Sequence, residues 1–450
     1  MSNKFGIILT YSYLCTQKRI MKTLVCLLLM CLSTAEVAAQ DVRTELKADA
    51  RRTAGTFFAY PVLEQLHDTP APGGKKPFYI NHYGCQGSYY HDKPEFYDAP
   101  YTTLAKADSA GVLTPLGRDV LRRVALLRSN AMNRSGELSE VGMAQQRELM
   151  KRMVERFPEV FEDGANASGR STTVNRCILS MEQALVQLAK LRPMVIRHKA
   201  SQRNRYYLNP QDSVLSPLKM DSATTAIYED FVARNATDNE GLMRKLFLSG
   251  DECWVSGDEM KEFARQLFDL AGSIQNTTLR DSVTLYDLFS PEGLYSHWRQ
   301  ENAWWYINYG PSQLTGGLQP YLQRNPLQQM IAMGDSIMTL DFPVLHLRHT
   351  LETVVMSLAC LMELDGYGQS TASLDSLEQM GWADYRITPM AGNIQMVHYR
   401  RDVNDDDVLV KVLLNEHEAT LPVATDCAPY YHWRDVRTYY LKKLDAYEKR

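Results

Sequence analysis

The chain has 450 residues, of which 45% are apolar and 23% charged, and its formal net charge is −4. This composition is that of a globular protein and excludes a disordered, collagen-like or coiled-coil chain. The slight negative charge argues against nucleic-acid binding, which requires clustered positive charge, and we expect no nucleic-acid partner. The length allows two or three domains, or one large domain that carries an insertion.

Residues 1–39 are predicted to be an upstream extension followed by a secretory signal peptide. Lys22 precedes an apolar run from Leu24 to Leu32, and Val37-Ala38-Ala39 places small residues before a cleavage point after Ala39. We therefore expect an exported protein, periplasmic or secreted, with Met21 as a plausible true start. Cleavage would remove four basic residues and one acidic residue, which changes the net charge from −4 to −7.

The mature chain is expected to contain no transmembrane segment and no metal or cofactor. No run of 18 or more apolar residues follows the signal peptide. Five cysteines remain after cleavage, an odd number, and none of them forms a C-x-x-C pair. Neither a zinc ribbon nor a redox pair is therefore indicated, and at least one thiol stays unpaired.

In chain order, the first clear element is the aromatic, β-prone run 78–83, which predicts a strand that ends at Gly84. Residues 140–157 carry apolar side chains on one helical face, and a short strand near 169–176 leads into another helix. Strand signals return at 342–345, followed by a helix over 352–364. Residues 394–399 and 408–414 alternate around a polar turn and predict a hairpin, with Asp405-Asp406-Asp407 as its solvated tip.

The alternation of strands and helices predicts an α/β fold. Residues 181–335 differ, because they indicate helices joined by polar loops with few strand signals. We therefore predict one α/β domain formed by residues 40–180 and 336–450, interrupted by a helical insertion, or cap domain, at 181–335.

Five stretches in a fixed order carry a family resemblance. They are 78–88 (FYINHYGCQGS), 136–142 (GELSEVG), 170–177 (RSTTVNRC), 305–312 (WYINYGPS), and Leu347-Arg348 with the helix that follows. Together they resemble the histidine phosphatase superfamily, in its acid phosphatase and phytase branch, and most of all proteins similar to multiple inositol polyphosphate phosphatase. The resemblance covers residues 50 to 445 and implies a three-layer phosphoglycerate-mutase-like sheet domain with an inserted all-helical domain.

The resemblance also implies roles for single positions. In such enzymes an R-H-G-x-R loop follows the first strand, and its histidine attacks phosphorus. Its arginines and one from the R-S-T segment hold the phosphate oxygens through charge-assisted hydrogen bonds. A late H-A-E motif supplies a second histidine and the acid that protonates the leaving group.

At most of these positions the chain departs from the pattern. Gln86 occupies the nucleophile position, Cys85 and Tyr89 replace two arginines, and Thr350 replaces the late histidine. The positions that persist are Gly87, Arg176 and the acid Glu352, and Arg170 and Arg348 are further candidate phosphate ligands. Because a glutamine amide is not a nucleophile, and losing a nucleophile costs about a millionfold in turnover, the sequence predicts a protein that is inactive or severely impaired.

Other residues could take over the missing catalytic and phosphate-binding roles, and for each of them a structural role is also open. Cys85 could serve as a nucleophile or simply fill the space of an arginine. His349 could replace the late histidine after a one-residue shift, or join His346 and Glu352 in a metal site. Arg170 and Arg176 could pair with carboxylates. Trp304, Trp305, Tyr306 and Tyr309 could line an interdomain cleft or pack in the core of the insertion.

The function hypotheses are therefore three. The first is an exported phosphatase-fold pseudoenzyme that binds a phosphorylated small molecule or another ligand in the cleft. The second is an active phosphomonoester hydrolase with a non-standard site, and the third is a structural protein without a ligand.

Overall fold

The structure is a computed structural model that describes residues 42–63, 66–248 and 254–449. The predicted upstream extension and signal peptide lie outside these ranges, as does Cys253.

The strands are β1 (Lys76–Cys85), β2 (Asn166–Ser171), β3 (Val195–Ala200), β4 (Val344–Thr350), β5 (Asn393–Arg400), β6 (Leu409–Leu414), β7 (His417–Glu418) and β8 (Tyr431–His432). The helices before the middle of the chain are α1 (42–48), α2 (Glu95–Ser109), α3 (Pro115–Ala131), α4 (Glu140–Arg156), α5 (Asn175–Leu191), α6 (Arg205–Leu208) and α7 (Ser222–Arg234). The remaining helices are α8 (Asn239–Leu246), α9 (Gly257–Ser273), α10 (Pro291–Tyr309), α11 (Arg324–Ile337), α12 (Glu352–Leu361), α13 (Asp384–Ile387) and α14 (Trp433–Glu448).

The eight strands form one mixed sheet in the order β3-β2-β4-β1-β5-β6-β7, with β8 also paired to β6. The four strands from β3 to β1 are parallel to one another, β5 pairs antiparallel with β1, and β6 pairs antiparallel with β5. Nearly every residue of β1, β4, β5 and β6 is buried, which is expected where helices cover both faces of a sheet.

Helices cover the two faces of the sheet in separate layers. On one face, Ile80 and Leu345 pack with Met150 of α4 and Leu185 of α5. On the other face, the cluster includes Tyr83 and Cys85 from β1 together with residues of α11, α12 and α14. The predicted α/β fold with a three-layer sheet domain is confirmed.

A helical layer adjoins the sheet domain. Helices α8 and α9 share an apolar cluster with α2 and α3, so residues 95–131 contribute to this layer as well as the expected insertion. The predicted boundary at 180/181 falls inside α5, and β3 adds a strand within a span where few strand signals were found. The division into domains stays a prediction. Among the described helices, none combines the length and apolar character needed to cross a membrane.

The predicted hairpin is present as β5 and β6, but its acidic turn is not fully solvated. The side chain of Asp405 is only 1% exposed and accepts hydrogen bonds from Lys75 at 2.8 Å and Arg401 at 3.0 Å. The hydrogen bond from Arg401 holds the pKa of Asp405 well below its usual range. The expectation of a solvated charge run is therefore wrong for Asp405, because two cations neutralise it inside the turn.

Candidate functional site

The loop after β1 is held by polar side chains from α4 and α5. The backbone N–H of Gly87 donates to Ser180 Oγ at 3.1 Å, and that of Ser88 donates to Gln145 Oε1 at 2.9 Å. A Cβ atom at Gly87 would lie 2.6 Å from the carbonyl oxygen of Gly142, which is too close for any side chain. Gly87 is therefore required by the contact between this loop and the first turn of α4.

The nucleophile position and the acid position lie side by side. Gln86 is 1% exposed, and its Nε2 donates to Glu352 Oε2 across 2.5 Å. Its Oε1 accepts a longer contact of 3.8 Å from Cys177 Sγ. Glu352 is the first residue of α12, where the helix dipole favours a carboxylate. The amide of Gln86 thus engages the carboxylate that would have to protonate a leaving group.

Little space remains around this pair. The space beside Gln86 and Glu352 is too small to admit a sphere the size of a water molecule. Its other lining residues are Thr56, Phe57, Cys85, Tyr89, Pro389 and Met390. A phosphate group therefore has no room to reach Gln86 in this conformation.

Arg176 reaches the mouth of the site but already has partners. Its Nη1 donates to Asp92 Oδ1 at 2.8 Å, and its guanidinium carbon lies 4.4 Å from the centre of the Tyr89 ring. Burial lowers the pKa of Arg176, but the nearby acidic groups Tyr89, Glu352 and Asp92 outweigh burial and raise it. Arg176 is therefore charged, and the Asp92 carboxylate occupies part of its capacity to bind an anion.

Cys85 packs as an apolar residue. It is fully buried, belongs to the cluster between the sheet and α12, and its thiol contacts the Pro389 carbonyl oxygen at 3.6 Å. Burial, with the charge of Glu352 as a smaller cause, raises the pKa of Cys85 well above its ordinary value. A thiol that stays protonated is a poor nucleophile, so the structure favours the space-filling interpretation of Cys85.

Three predicted phosphate ligands make their contacts elsewhere. Thr350 Oγ1 donates to the carbonyl of Leu208. Arg348 is buried and donates to the carbonyl of Ser168 at 3.0 Å, and burial lowers its pKa. Arg170 lies beside Arg348 in the register of β2 and β4 and bonds to Tyr207. In contrast to the expectation, these residues support the sheet and its covering helices.

The two late histidines point to opposite faces of the sheet, because they are three residues apart in β4. His346 Nδ1 contacts the hydroxyl of Tyr79 at 2.9 Å on one face, whereas His349 Nε2 contacts Gln146 Oε1 at 3.1 Å on the other. They cannot share a metal ion with Glu352. Burial also lowers the pKa of His349 well below its ordinary value, so its imidazole is neutral and is not the missing cation of the clamp.

His82 is a packed histidine. It is buried, its ring centre lies 5.6 Å from that of His349, and burial lowers its pKa to about 4.

A larger cavity of about 480 Å³ adjoins the closed site and shares Thr56 and Phe57 with it. It lies between the segment 50–57, the start of α2, and helices α9 and α10. Trp304 and Trp305 line it, whereas Tyr306 is buried in the core and Tyr309 packs against that core. The four aromatic residues are therefore divided between the two expected roles.

The charged lining of this cavity is mainly acidic. Its five carboxylates are those of Glu95, Glu262, Asp269, Glu301 and Asp384, and its basic side chains are Lys93 and Arg265. Burial, together with the charge of Glu301, raises the pKa of Asp269, although Arg265 pairs with it at 2.8 Å. Burial raises the pKa of Asp384 to about 7. Crowded carboxylates with raised pKa values disfavour a polyanionic ligand.

Sequence reasoning missed the residues that close and shape the site. Four polar side chains bind either the loop after β1 or Arg176, and none of them belongs to the quoted motifs. They are Asp92, Gln145, Ser180 and Asn276. Ser88 Oγ donates to Asn276 Oδ1 at 2.6 Å and so joins the loop to the helical layer. The one available signal was the position of Asp92 directly after the loop.

Comparison with known proteins gives fold neighbours only. No family model matches the chain, and no curated protein sequence matches it. The multiple inositol polyphosphate phosphatase of Bifidobacterium longum, solved with inositol hexasulfate, is similar in structure with a TM-score of 0.65, at 16% identity, over 86% of this chain and 97% of that one. The same enzyme solved with phosphate has a TM-score of 0.65, at 16% identity, over 87% and 98%. The phytase from D. castellii has a TM-score of 0.63, at 11% identity, over 88% and 85%. The resemblance inferred from the motifs is therefore confirmed at the level of structure, and this chain has the histidine acid phosphatase fold.

Proposed function

We propose that this protein is an exported pseudoenzyme of the histidine acid phosphatase fold that binds a small molecule in the cleft beside its closed catalytic site. The observation that carries the proposal is the hydrogen bond from Gln86 to Glu352. By the family resemblance, this non-nucleophilic amide stands at the position of the attacking imidazole, and its contact engages the residue at the acid position.

The remaining contacts support the absence of turnover. A hydrogen bond to a charged group contributes about 1.5–3 kcal/mol, so the loss of two arginines and a histidine from the clamp weakens phosphate binding by several powers of ten. Arg176 persists, but Asp92 and Tyr89 hold it. Cys85 is buried and lacks the cationic neighbourhood that a thiolate nucleophile requires.

The neighbouring cavity supports ligand binding. Its volume of about 480 Å³ falls in the range of small-molecule sites, and it combines aromatic walls with many charged and polar side chains. Phe57, Trp304 and Trp305 offer faces on which a sugar ring or an organic cation can stack. Of the two expected ligand classes, the acidic lining favours a neutral or cationic ligand over a polyphosphorylated one.

The first experiment measures turnover. Release of phosphate from p-nitrophenyl phosphate and inositol hexakisphosphate is followed at acid and neutral pH, for the unmodified protein and for Arg176→Ala and Glu352→Ala. We expect no activity above that of a mock preparation, and any trace activity should survive both substitutions. Turnover that either substitution abolishes would contradict the proposal and favour an active hydrolase.

The second experiment measures binding. A thermal-shift screen compares neutral sugars, organic amines, inorganic phosphate and inositol hexakisphosphate, with Trp305→Ala as the cavity variant and Trp254→Ala, an exposed tryptophan outside the cavity, as its control. We expect shifts from neutral or cationic compounds that Trp305→Ala removes and Trp254→Ala keeps. Failure of every compound to shift the melting temperature would favour a structural protein without a ligand.

Export rests on the sequence of residues 21–39, which the structure does not describe. Expression in a bacterium with an intact secretion system, followed by N-terminal sequencing, should give a mature chain that begins at Gln40. A cytoplasmic product that still carries residues 21–39 would contradict export without affecting the proposal about the site.

A further inference from the structure

A second cluster of side chains lies at the edge of the sheet, in a part of the molecule that the phosphatase site does not use. Asp426, Cys427 and His432 each offer one ligand-type atom, and these atoms all lie within 4.8 Å of one another. The Asp426 carboxylate and His432 Nε2 are 3.1 Å apart. In the described residues, no other group of three such side chains converges in this way.

From this geometry we propose that Asp426, Cys427 and His432 form a Zn²⁺ site. Zinc binds thiolate sulfur at about 2.3 Å and imidazole nitrogen or carboxylate oxygen at about 2.0–2.2 Å. Tetrahedral ligands at those distances are separated by roughly 3.3–3.8 Å, so a small adjustment of the three side chains brings them onto one ion. One thiolate, one imidazole and one carboxylate form a donor set that suits zinc better than Mg²⁺ or Ca²⁺, which prefer oxygen ligands.

The histidine also has the support that zinc ligands usually have. Its other ring nitrogen, Nδ1, lies 2.6 Å from Asp407 Oδ1, so Nε2 is left to face Asp426 and Cys427. A carboxylate on the far nitrogen fixes the tautomer and orientation of a metal-binding imidazole and increases its basicity. Asp407 comes from the turn between β5 and β6 and therefore reaches the cluster from a separate segment of the chain.

The backbone holds these ligands in place before any ion binds. His432 pairs with Leu409 across β8 and β6 and directly precedes α14. In the preceding loop, Thr425 Oγ1 donates to the Tyr430 carbonyl at 2.7 Å, and the Tyr430 hydroxyl donates to the Thr69 carbonyl at 2.6 Å. A bound ion would link this loop and the start of α14 to the β5–β6 turn.

Cys427 differs from the other cysteines whose environment the structure describes. Cys85, Cys177 and Cys360 are buried, whereas Cys427 is partly exposed and forms no disulfide; its sulfur contacts Thr425 Oγ1 and the Tyr430 carbonyl oxygen, each at 3.5 Å. Binding converts its thiol to a thiolate and releases a proton to solvent. Three protein ligands leave a fourth coordination position for water.

The test uses the full mature chain without an affinity tag, stripped with a chelator and desalted. Zn²⁺ is titrated in competition with a chromogenic chelator, and Co²⁺ is substituted to look for the charge-transfer absorption of a thiolate–cobalt bond. We expect one ion per chain, a cobalt–thiolate band that Cys427→Ser abolishes, and binding that Cys427→Ser or His432→Ala weakens by at least tenfold. Asp407→Asn should weaken binding by about 10- to 100-fold, as loss of an outer carboxylate typically does.

His417→Ala, which removes an exposed histidine of β7, is the matched control and should bind Zn²⁺ like the unmodified chain. The melting temperature with and without Zn²⁺ provides a second measurement, because an ion that binds the folded state must raise it. A chain that binds no Zn²⁺, or one whose affinity is unchanged in Cys427→Ser and His432→Ala, would overturn the proposal and leave an Asp407–His432–Asp426 ion-pair cluster in its place.

Discussion

Arg176 donates to the Asp92 carboxylate across 2.8 Å, so the arginine that the motif resemblance assigns to a phosphate clamp already has an anionic partner. Half of the Asp92 side chain is exposed, whereas that of Arg176 is 10% exposed. The pair therefore lies at the mouth of the closed site, where a solute can reach the carboxylate but little of the guanidinium.

Asp92→Asn should increase the affinity for inorganic phosphate, because it removes the charge that competes for Arg176. Since Asp92 is half-exposed and screened by water, we expect a gain of about 1 kcal/mol or less, up to roughly fivefold in Kd. Isothermal titration calorimetry measures it. Asp98→Asn, which removes the partner of Arg128 in a surface pair, is the control and should leave the affinity unchanged. An unchanged affinity in Asp92→Asn would show that Asp92 does not block the arginine.

Gln86→His should not restore hydrolysis. The new imidazole would meet Glu352 in a closed space, and the positions of the two clamp arginines would still hold Cys85 and Tyr89. We expect no phosphate release from p-nitrophenyl phosphate and no acid-labile phosphoenzyme after rapid quenching. A phosphoenzyme that disappears in the double variant Gln86→His/Glu352→Ala would instead show that the scaffold needs only its nucleophile.

Gly87→Ala should destabilise the fold, because the added methyl group would lie 2.6 Å from the Gly142 carbonyl oxygen. Forcing an atom into such a contact typically costs about 1–3 kcal/mol. Urea denaturation followed by circular dichroism measures the free energy of unfolding. Gly293→Ala is the matched control, since a Cβ there would only approach Ser290 Oγ at 3.3 Å, and it should stay within about 0.5 kcal/mol of the unmodified chain. Equal stability of the two variants would contradict the role assigned to Gly87.

The contribution of Asp384 to stability should fall as the pH rises from about 4 to 7. Burial raises the pKa of Asp384 to about 7, so the folded state holds a proton that the unfolded state releases at a lower pH. The stabilisation from the neutral carboxyl is complete below the unfolded pKa and is lost as the pH rises through 7. Each unit of pKa difference corresponds to about 1.4 kcal/mol, so a few kcal/mol are involved.

Urea denaturation of Asp384→Asn across the same pH range isolates this contribution. An amide keeps a hydrogen-bond acceptor for Trp298 Nε1 but does not titrate, so the unmodified chain should lose stability relative to this variant as the pH rises from about 4 to 7. Parallel pH curves for the two proteins would show that Asp384 is not responsible.

Local pattern was enough to predict some elements of the fold and not others. The apolar face of 140–157 predicted α4, which buries that face against the sheet, and the strand-like runs on both sides of a polar turn predicted the β5–β6 hairpin within the sheet. β3 escaped prediction because it is an edge strand whose Arg197, His198 and Lys199 are exposed, so no apolar alternation marks it. The cluster that joins α2 and α3 to α8 and α9 depends on long-range packing that no local pattern encodes.

For the candidate site, too, the sequence predicted some features and not others. The order of the motifs predicted that Gln86 and Glu352 would occupy one site, and they are in direct contact although 266 residues separate them. The same motifs also pointed to Arg348 and Thr350, whose side chains turn to Ser168 and Leu208 instead. Motif order specifies where the backbone passes, whereas the direction of a side chain depends on the neighbouring elements that offer it a partner.

The packing of Cys85 has a consequence for how this lineage can change. An arginine at that position would have to enter the apolar cluster beneath α12, where burying a charge is costly even with Glu352 nearby. Under the proposed function, a gain of hydrolysis would therefore require the surroundings of Cys85 to be repacked around an arginine. Placing a nucleophile at Gln86 would not be sufficient by itself.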